Sequence, residues 1–560
     1  MTSVMKRVLL IGAIVGAALV AALTPAPRSP AAEAPQARPN IVVVMSDDQA
    51  VESMRVMANV NALLAAQGAT FADNYASFPL CCPSRATFLT GQYGHNHTVM
   101  GNAAPQGGYE KLAPTHVNTL PAWLKVAGYR TVHIGKYLNG YGRQRPTEVP
   151  AGWDEWFGSV DPSTYRFYDY TLNENGKLVR YGSNVGDYQA DIYTTKAVDA
   201  VRRLAPRAEP FFLSVAYLAP HSGMPREADD PSNLATPAPA ARHRNRFATE
   251  AMPKSPAFNE TDVSDKPLAV RRRPLLGAAR INGVTELYRQ RLESLLAVDE
   301  GVAAIVRALQ DSGELSRTLI VYTADNGFFH GEHRIPSGKV QHYEPSARVP
   351  LVLRGPGVPR GLRVTQPSVN IDLAPTIVDA ANAKTGRATD GVSLLALLAD
   401  RTRFVGRDVL LETPTYAAVH TPRYVYVEHN TGERELYDLV SDRFELASLH
   451  ENPAYAQVRS DLARRLLALR ACKAAGCRRG PTLSVTSRCA GGKHRVALAG
   501  GDARLVMRVD WIYRGRATGA DLKRPFQVVL GSAAGVVRAN ATLADGRRAS
   551  VDRRLAACRA

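Results

Sequence analysis

Cysteine is scarce in this chain, six residues in 560, and no two of them fall in a Cys-x-x-Cys spacing. That removes the usual mark of a structural zinc site. After residue 23 there is no apolar run long enough to cross a bilayer, so the bulk of the chain does not read as membrane-embedded. No internal repeat is evident, which excludes a solenoid or propeller. Lys and Arg outnumber Asp and Glu by 69 to 51, yet no basic–aromatic module or DNA-binding spacing accompanies the excess. Nucleic acid is therefore not an expected partner.

What is present describes a globular, exported protein. Hydrophobic content of 45% and charged content of 21% are ordinary for folded domains, and the length asks for two or three of them. Lys6 and Arg7 precede an apolar run from Val8 to Leu23, then a Pro- and Ala-rich stretch to Ala37. This pattern predicts an export signal and spacer over 1–37 and a secreted or cell-envelope location. An uncleaved membrane anchor is the alternative. The net charge of +18 would draw polyanions.

Asn40–Met45 is a continuous β-branched apolar run, as expected of a strand buried on both faces of a parallel sheet. Similar runs recur at Arg130–Ile134, Phe211–Tyr217, Thr318–Thr323 and Val349–Leu353, with a shorter one over Thr70–Ala76. Helical patterns lie between them, one from about Glu52 to Gly68 and the clearest over Val284–Asp311. Such alternation predicts an α/β domain with a large, mostly parallel sheet over 38–403, with ligands gathered at the strands' carboxyl ends. Within it, 222–273 is long, polar and Pro-rich, and suits either a cleft lining or a solvated insertion. Short alternating segments over 404–471, closed by a helix near Ala454–Arg470, predict a small antiparallel sheet. Residues 472–560 read as an accessory β-sandwich, with strands at Arg495–Leu498, Arg504–Trp511 and Gln527–Leu530 and with basic residues that suit plain surface charge or a polyanion. Cys472, Cys477, Cys489 and Cys558 allow three connectivities; Cys472–Cys477 with Cys489–Cys558 is preferred.

The segment Leu80-Cys81-Cys82-Pro83-Ser84-Arg85, running to Gly91, has the punctuation of a short helix, with Pro in its first turn and Gly at its end. Cys81 would sit at an N-terminus, where backbone N–H groups favour anions, and Arg85 would add a fixed charge. Asp47 and Asp48 end one strand; Asp325 and Asn326 end another. Four oxygen donors from two strand ends suit a hard cation, calcium before magnesium.

Together these segments resemble the type I sulfatases, whose signature is C-x-P-S-R followed by x-x-x-L-T-G. The resemblance covers roughly Pro39 to Leu446 and implies an alkaline-phosphatase-like fold. It also implies oxidation of Cys81 to formylglycine by a formylglycine-generating enzyme, and a divalent metal on Asp47, Asp48, Asp325, Asn326 and the modified Cys81. Lys136, His221 and Lys339 fall on positions that contact sulfate or protonate the leaving group. Where many arylsulfatases carry G-K-W-H, this chain has Gly135-Lys136-Tyr137-Leu138-Asn139. That form, with Gly94-His95-Asn96-His97, is similar to the N-acetylglucosamine-6-sulfatases and extracellular heparan 6-O-endosulfatases, and implies a sulfated carbohydrate substrate. His133, His330 and His333 are candidates for the missing base. Phe328-Phe329-His330-Gly331-Glu332-His333-Arg334 departs from that branch. A general arylsulfatase, a phosphate or phosphonate monoester hydrolase of the same architecture, and a non-catalytic polyanion-binding protein are the alternatives.

Overall fold

The computed structural model describes residues 38–559 with the exception of Asp229; the expected export signal over 1–37 lies outside them. Among the described residues no helix is long and apolar enough to cross a membrane. Asn40–Ser46 is a strand buried along its whole length. Its side chains alternate between two cores: Val42 and Val44 enter one, Ile41, Val43 and Met45 the other. Burial on both faces explains the apolar run.

This strand is one of five parallel neighbours in the order Thr318–Ala324, Asn40–Ser46, Phe211–Ala216, Arg130–Gly135, Glu155–Ser159, at the centre of a ten-stranded sheet. Antiparallel strands continue it on both sides, Leu351–Arg354 on one and Tyr170–Glu174 on the other. Helices Gln189–Leu204 and Ala278–Asp311 pack into the first core, and Cys81–Thr90, Leu120–Val126 and Leu373–Ala380 into the second. The result is a three-layer α/β domain.

Two elements differ from the sequence pattern. The helix expected from Glu52 to Gly68 is broken into a 3-10 turn, Val51–Val56, and a π turn, Val60–Ala65. The break has a cause far along the chain: Asp299 accepts the N–H groups of Asn59 at 2.9 Å and Val60 at 2.8 Å, giving the second piece its own start. The strand expected over Thr70–Ala76 is also split, because Ala69–Phe71 pairs within the large sheet while Asn74–Tyr75 pairs with Ser368–Val369. Among its described residues the stretch 222–273 carries only the single turns Ala241–His243 and Leu268–Arg271.

Strands Val409–Glu412, Tyr416–His420, Tyr424–His429 and Arg434–Asp438 form an antiparallel meander, and helix Ala456–Arg470 packs its Leu462, Leu466 and Leu469 on it. Beyond Cys472 a three-stranded and a four-stranded sheet enclose Val485, Val496, Val509, Trp511 and Val537. Cys472 is bonded to Cys477, and Cys489, on the smaller sheet, to Cys558, just past the last strand of the larger. This part is joined to the rest by charge: Arg465 pairs with Asp408 and, at 2.8 Å, with Asp545, which also holds Arg547 at 2.7 Å. The described residues form a single compact unit.

Candidate active site

Four of the parallel strands end level with one another. Ser46 pairs with Ala324, and Met45 and Gly135 both pair with Ala216. The residues that follow emerge together: Asp47 and Asp48 from one strand, Asp325 and Asn326 from its neighbour, His221 and Lys136 from the two on the other side. Gly135 permits the last of these. Its φ is 100°, and a Cβ there would lie 2.1 Å from the carbonyl oxygen of Ala216, which accepts the Lys136 N–H at 2.9 Å.

Helix Cys81–Thr90 points its N-terminus at this cluster. Leu80 is extended before it and Gly91, at φ 65°, closes it. Cys81 and Cys82 are both buried free thiols. The Cys81 sulfur lies 3.4 Å from Asp47 Oδ1, 3.9 Å from Asp48 Oδ1 and 2.8 Å from Lys339 Nζ. Lys339 also pairs with Asp48, and Lys136 with Asp47. His221 donates from Nδ1 to the Ser222 carbonyl at 2.7 Å, and its Nε2 lies 3.7 Å from Asp48 Oδ2. The ligand atoms of Asp47, Asp48, Cys81 and His221 all lie within 4.8 Å of one another.

Arg85 is buried beneath the group. Its Nε donates to Asp325 at 2.8 Å, one Nη to Asp47 at 3.3 Å and the other to the Lys136 carbonyl at 2.8 Å. It binds two of the carboxylates to each other. Asn326 Nδ2 donates to Asp48 at 2.7 Å, and Asp325 Oδ1 accepts the N–H of Asp48 at 3.0 Å.

Charge decides the ionisation of these groups. Burial opposes ionisation of Asp47, yet Lys136, His221 and Arg85 hold it below the usual carboxylate range. For Asp48 burial is likewise overcome, by Lys339, His221 and Arg291. Burial and the nearby Asp47 carboxylate push the Cys81 thiol up. A raised thiol pKa disfavours the thiolate, the nucleophilic form of an unmodified cysteine. Burial pushes His221 down, against Asp48 and Asp47.

The donors fit a hard divalent cation. Asp47, Asp48, Asp325 and Asn326 offer only oxygen, and Asn326 Oδ1 is buried without a hydrogen-bond partner, an orphan that a cation would satisfy.

None of the three candidate bases is among the groups that meet at Cys81, although His133 lines a small cavity with Arg85 and Lys136. His133 is stacked on Trp156 at 4.7 Å and bonds Ser214; His330 packs against Phe328 and Tyr288; His333 pairs with Glu260 at 2.7 Å. His330 and His333 line a cavity of about 570 Å³ to which Cys81 does not contribute. Of the imidazoles among the described residues, His221 is the one beside the acidic group. Leu138 is buried in the second core. His95 and Asn96 do not reach the site either: both bond the Cys472 carbonyl, and His95 holds Glu412.

One site residue escaped the sequence reading. Arg291 donates to the Asp48 and Pro220 carbonyls, the latter at 2.8 Å, and its guanidinium lies 3.8 Å over Phe328. It links the loops that carry Asp48 and His221. The signal was available: Arg291 stands between Leu287 and Leu295 on the buried stripe of its helix, where a charge needs a reason.

Comparison with known proteins places these features among relatives. The sulfatase family model matches residues 39–383, and that of the N-sulphoglucosamine sulphohydrolase C-terminal region residues 331–472. An arylsulfatase of Volvox carteri is 32% identical over 507 residues, 80% of this chain and 76% of that protein. Human N-acetylglucosamine-6-sulfatase is 35% identical over 388 residues, 67% of each chain. A putative extracellular sulfatase of Caenorhabditis elegans is 34% identical over 64% of this chain, which spans about half, 49%, of that protein. A protein solved with its substrate D-glucosamine-2-N,6-O-disulfate aligns with a TM-score of 0.63 and 25% identity, over 77% of this chain and 97% of that one.

Proposed function

Since the chain belongs to the sulfatase family, the sulfuric ester hydrolases, we propose that it removes 6-O-sulfate from N-acetylglucosamine-type sugars outside the cytoplasm, with Cys81 matured to formylglycine and one calcium ion bound. The observation that carries the proposal is the meeting of Cys81, at a helix N-terminus, with the four oxygen donors Asp47, Asp48, Asp325 and Asn326. The likeness to glucosamine-6-sulfatases, and to a protein solved with a 6-O-sulfated glucosamine, supports the sugar.

The chain's residues divide the work as follows. Asp47, Asp48, Asp325 and Asn326 would hold the cation, which would draw charge from the sulfate oxygens and acidify the nucleophile. As a formylglycine hydrate, residue 81 would offer one hydroxyl to attack sulfur and a second whose loss of a proton expels sulfate. Lys339 lies 2.8 Å from the sulfur of Cys81 and Lys136 pairs with Asp47 beside it, and both would neutralise the sulfate oxygens as charge develops. His221 and Lys339 are the groups placed to hold a proton for the departing sugar oxygen. Arg85 keeps Asp47 and Asp325 in place.

The likeness to the Volvox arylsulfatase, over more of the chain than any sugar sulfatase named here, favours a second reading, a general arylsulfatase. Assay of 6-sulfated N-acetylglucosamine, 2-sulfated uronate and nitrophenyl sulfate side by side separates the two. A primary alkoxide is a poor leaving group, so His221→Ala should damage turnover of the 6-sulfated sugar more than that of the aryl ester. Turnover of the aryl ester alone would leave the arylsulfatase reading.

A further inference from the structure

The positive charge of this protein is concentrated at one end. Residues 472–560 hold eighteen Lys and Arg against five Asp and no Glu, so that +13 of the chain's +18 lies in this final segment. Its carboxylates are already engaged: Asp545 holds Arg465 and Arg547, Asp552 holds Arg538, and Asp510 holds Arg508. Most of the remaining cations are left facing solvent.

The three-stranded sheet of the sandwich arranges some of them into a surface. Ser484–Ala490, Lys493–Ala499 and Gln527–Leu530 pair antiparallel, with Val485, Val496 and Leu530 turned into the core. The opposite face carries Thr486, Arg488, Lys493, Arg495, Ala497 and Val529. Arg488 pairs directly with Arg495, and Lys493 lies two residues from Arg495 on the same strand. All three are exposed, and among the described residues none has an acidic partner. Like charges directly opposite across a sheet are unfavourable, and nothing on this face relieves them. Its other side chains, Thr486, Ala497, Gln527 and Val529 among them, carry no charge, so the cations stand on an open sheet face.

We propose that this face docks the sulfated polysaccharide on which the enzyme acts, holding a chain by several sulfates while the catalytic cleft works on one. The partner follows from complementarity. A regularly sulfated extended chain offers repeated anions to a flat face of closely spaced guanidinium and ammonium groups, and relieves the Arg488–Arg495 repulsion that the free protein retains. The polysaccharide itself rests on the function proposed above, and the binding measurement is independent of turnover.

The test uses the full chain carrying Arg488→Ser, Lys493→Ser and Arg495→Ser together, with immobilised heparin as the probe. All three side chains are exposed, so the fold should persist, and an unchanged melting temperature would verify it. Heparin binding at about 0.1 M salt should weaken by about tenfold, with a shallower dependence on salt. KM for a sulfated polymer should rise while kcat/KM for nitrophenyl sulfate stays the same. Heparin retention equal to that of the parent would overturn the proposal, as would tighter binding to single-stranded DNA of equal charge than to heparin. If the protein releases sulfate from no substrate but the three substitutions still abolish heparin binding, the catalytic reading fails and the docking face stands.

Discussion

The hydroxyl of Tyr416 donates to the carbonyl of Val340 over 2.7 Å, one residue beyond Lys339. The N–H of Val340 donates in turn to the Pro79 carbonyl at 3.1 Å. Between these two anchors Val340 has φ 90°, a conformation that a β-branched residue rarely adopts, at a cost of roughly 1–3 kcal/mol. The small sheet and the loop before Cys81 thus hold the backbone of Lys339 where it would not otherwise rest.

Removing that hydroxyl should therefore act through Lys339. Tyr416→Phe is expected to lower kcat about tenfold, the equivalent of roughly 1.4 kcal/mol. Val340→Gly in the same chain should restore most of it, because glycine adopts this φ freely. In a Lys339→Ala background Tyr416→Phe should cost nothing further. An equal loss in both backgrounds would show that Tyr416 acts elsewhere.

Peptide mass mapping of protein from its native host should find the aldehyde at residue 81 and an intact thiol at Cys82. Cys81→Ala should abolish turnover with the fold preserved, and Cys81→Ser should at best accumulate a sulfated enzyme. An intact Cys81 thiol in fully active protein would refute the assignment.

Asp325→Ala removes one oxygen donor and one partner of Arg85, so bound metal and activity should be lost together. Elemental analysis of the parent should find calcium near one equivalent, and extensive chelation should lower the melting temperature. Zinc at full occupancy with these four residues outside its shell would be incompatible with the site.

Stability should fall on acidification for a reason separate from the carboxylates. Burial lowers His97 and His133 to about 3 and His116 to about 4, against an unfolded value near 6.5. Below about pH 6.5 the unfolded chain therefore binds protons that the folded one refuses. Stability is full above that pH and declines toward pH 4, each histidine contributing up to about 1.4 kcal/mol per pH unit. His133→Phe, which keeps a ring against Trp156, should reduce the slope measured by denaturant unfolding; an unchanged slope would remove His133 from the account.

The C-terminal sandwich should not be separable without cost. A chain ending after Arg470 would leave Asp408 and Arg465 without Asp545 and Arg547, groups now largely buried. Asp545→Asn alone should lower stability by about 3 kcal/mol. A truncated chain that melts like the parent would show that these ion pairs contribute little.

The sequence made the site legible where the signal was local. Buried β-branched runs marked the strands, and the residues just past them are the ones the fold brings together; Pro83 and Gly91 framed the cysteine helix. What could not be read depends on partners distant in the chain. The interruption between Val56 and Val60 is set by Asp299, and the place of His95 and Asn96 by Cys472. Strand Arg516–Asp521 is exposed along most of its length, so it lacks the alternation of apolar and polar residues that would announce it. Arg291 carries no local mark except a charge set on the apolar stripe of its helix, and its partners, Asp48 and Pro220, lie far along the chain.

Strand Asn40–Ser46 works as a ruler. Its odd and even positions face different cores, so one residue inserted or deleted between Ile41 and Met45 would exchange the occupants of both and turn Asp47 and Asp48 half a step away from Asp325 and Arg85. Chain length can drift in the loop at 222–273 or between strands. Along these few residues the count is fixed, and it is fixed at once by the packing on either side and by the chemistry at the end.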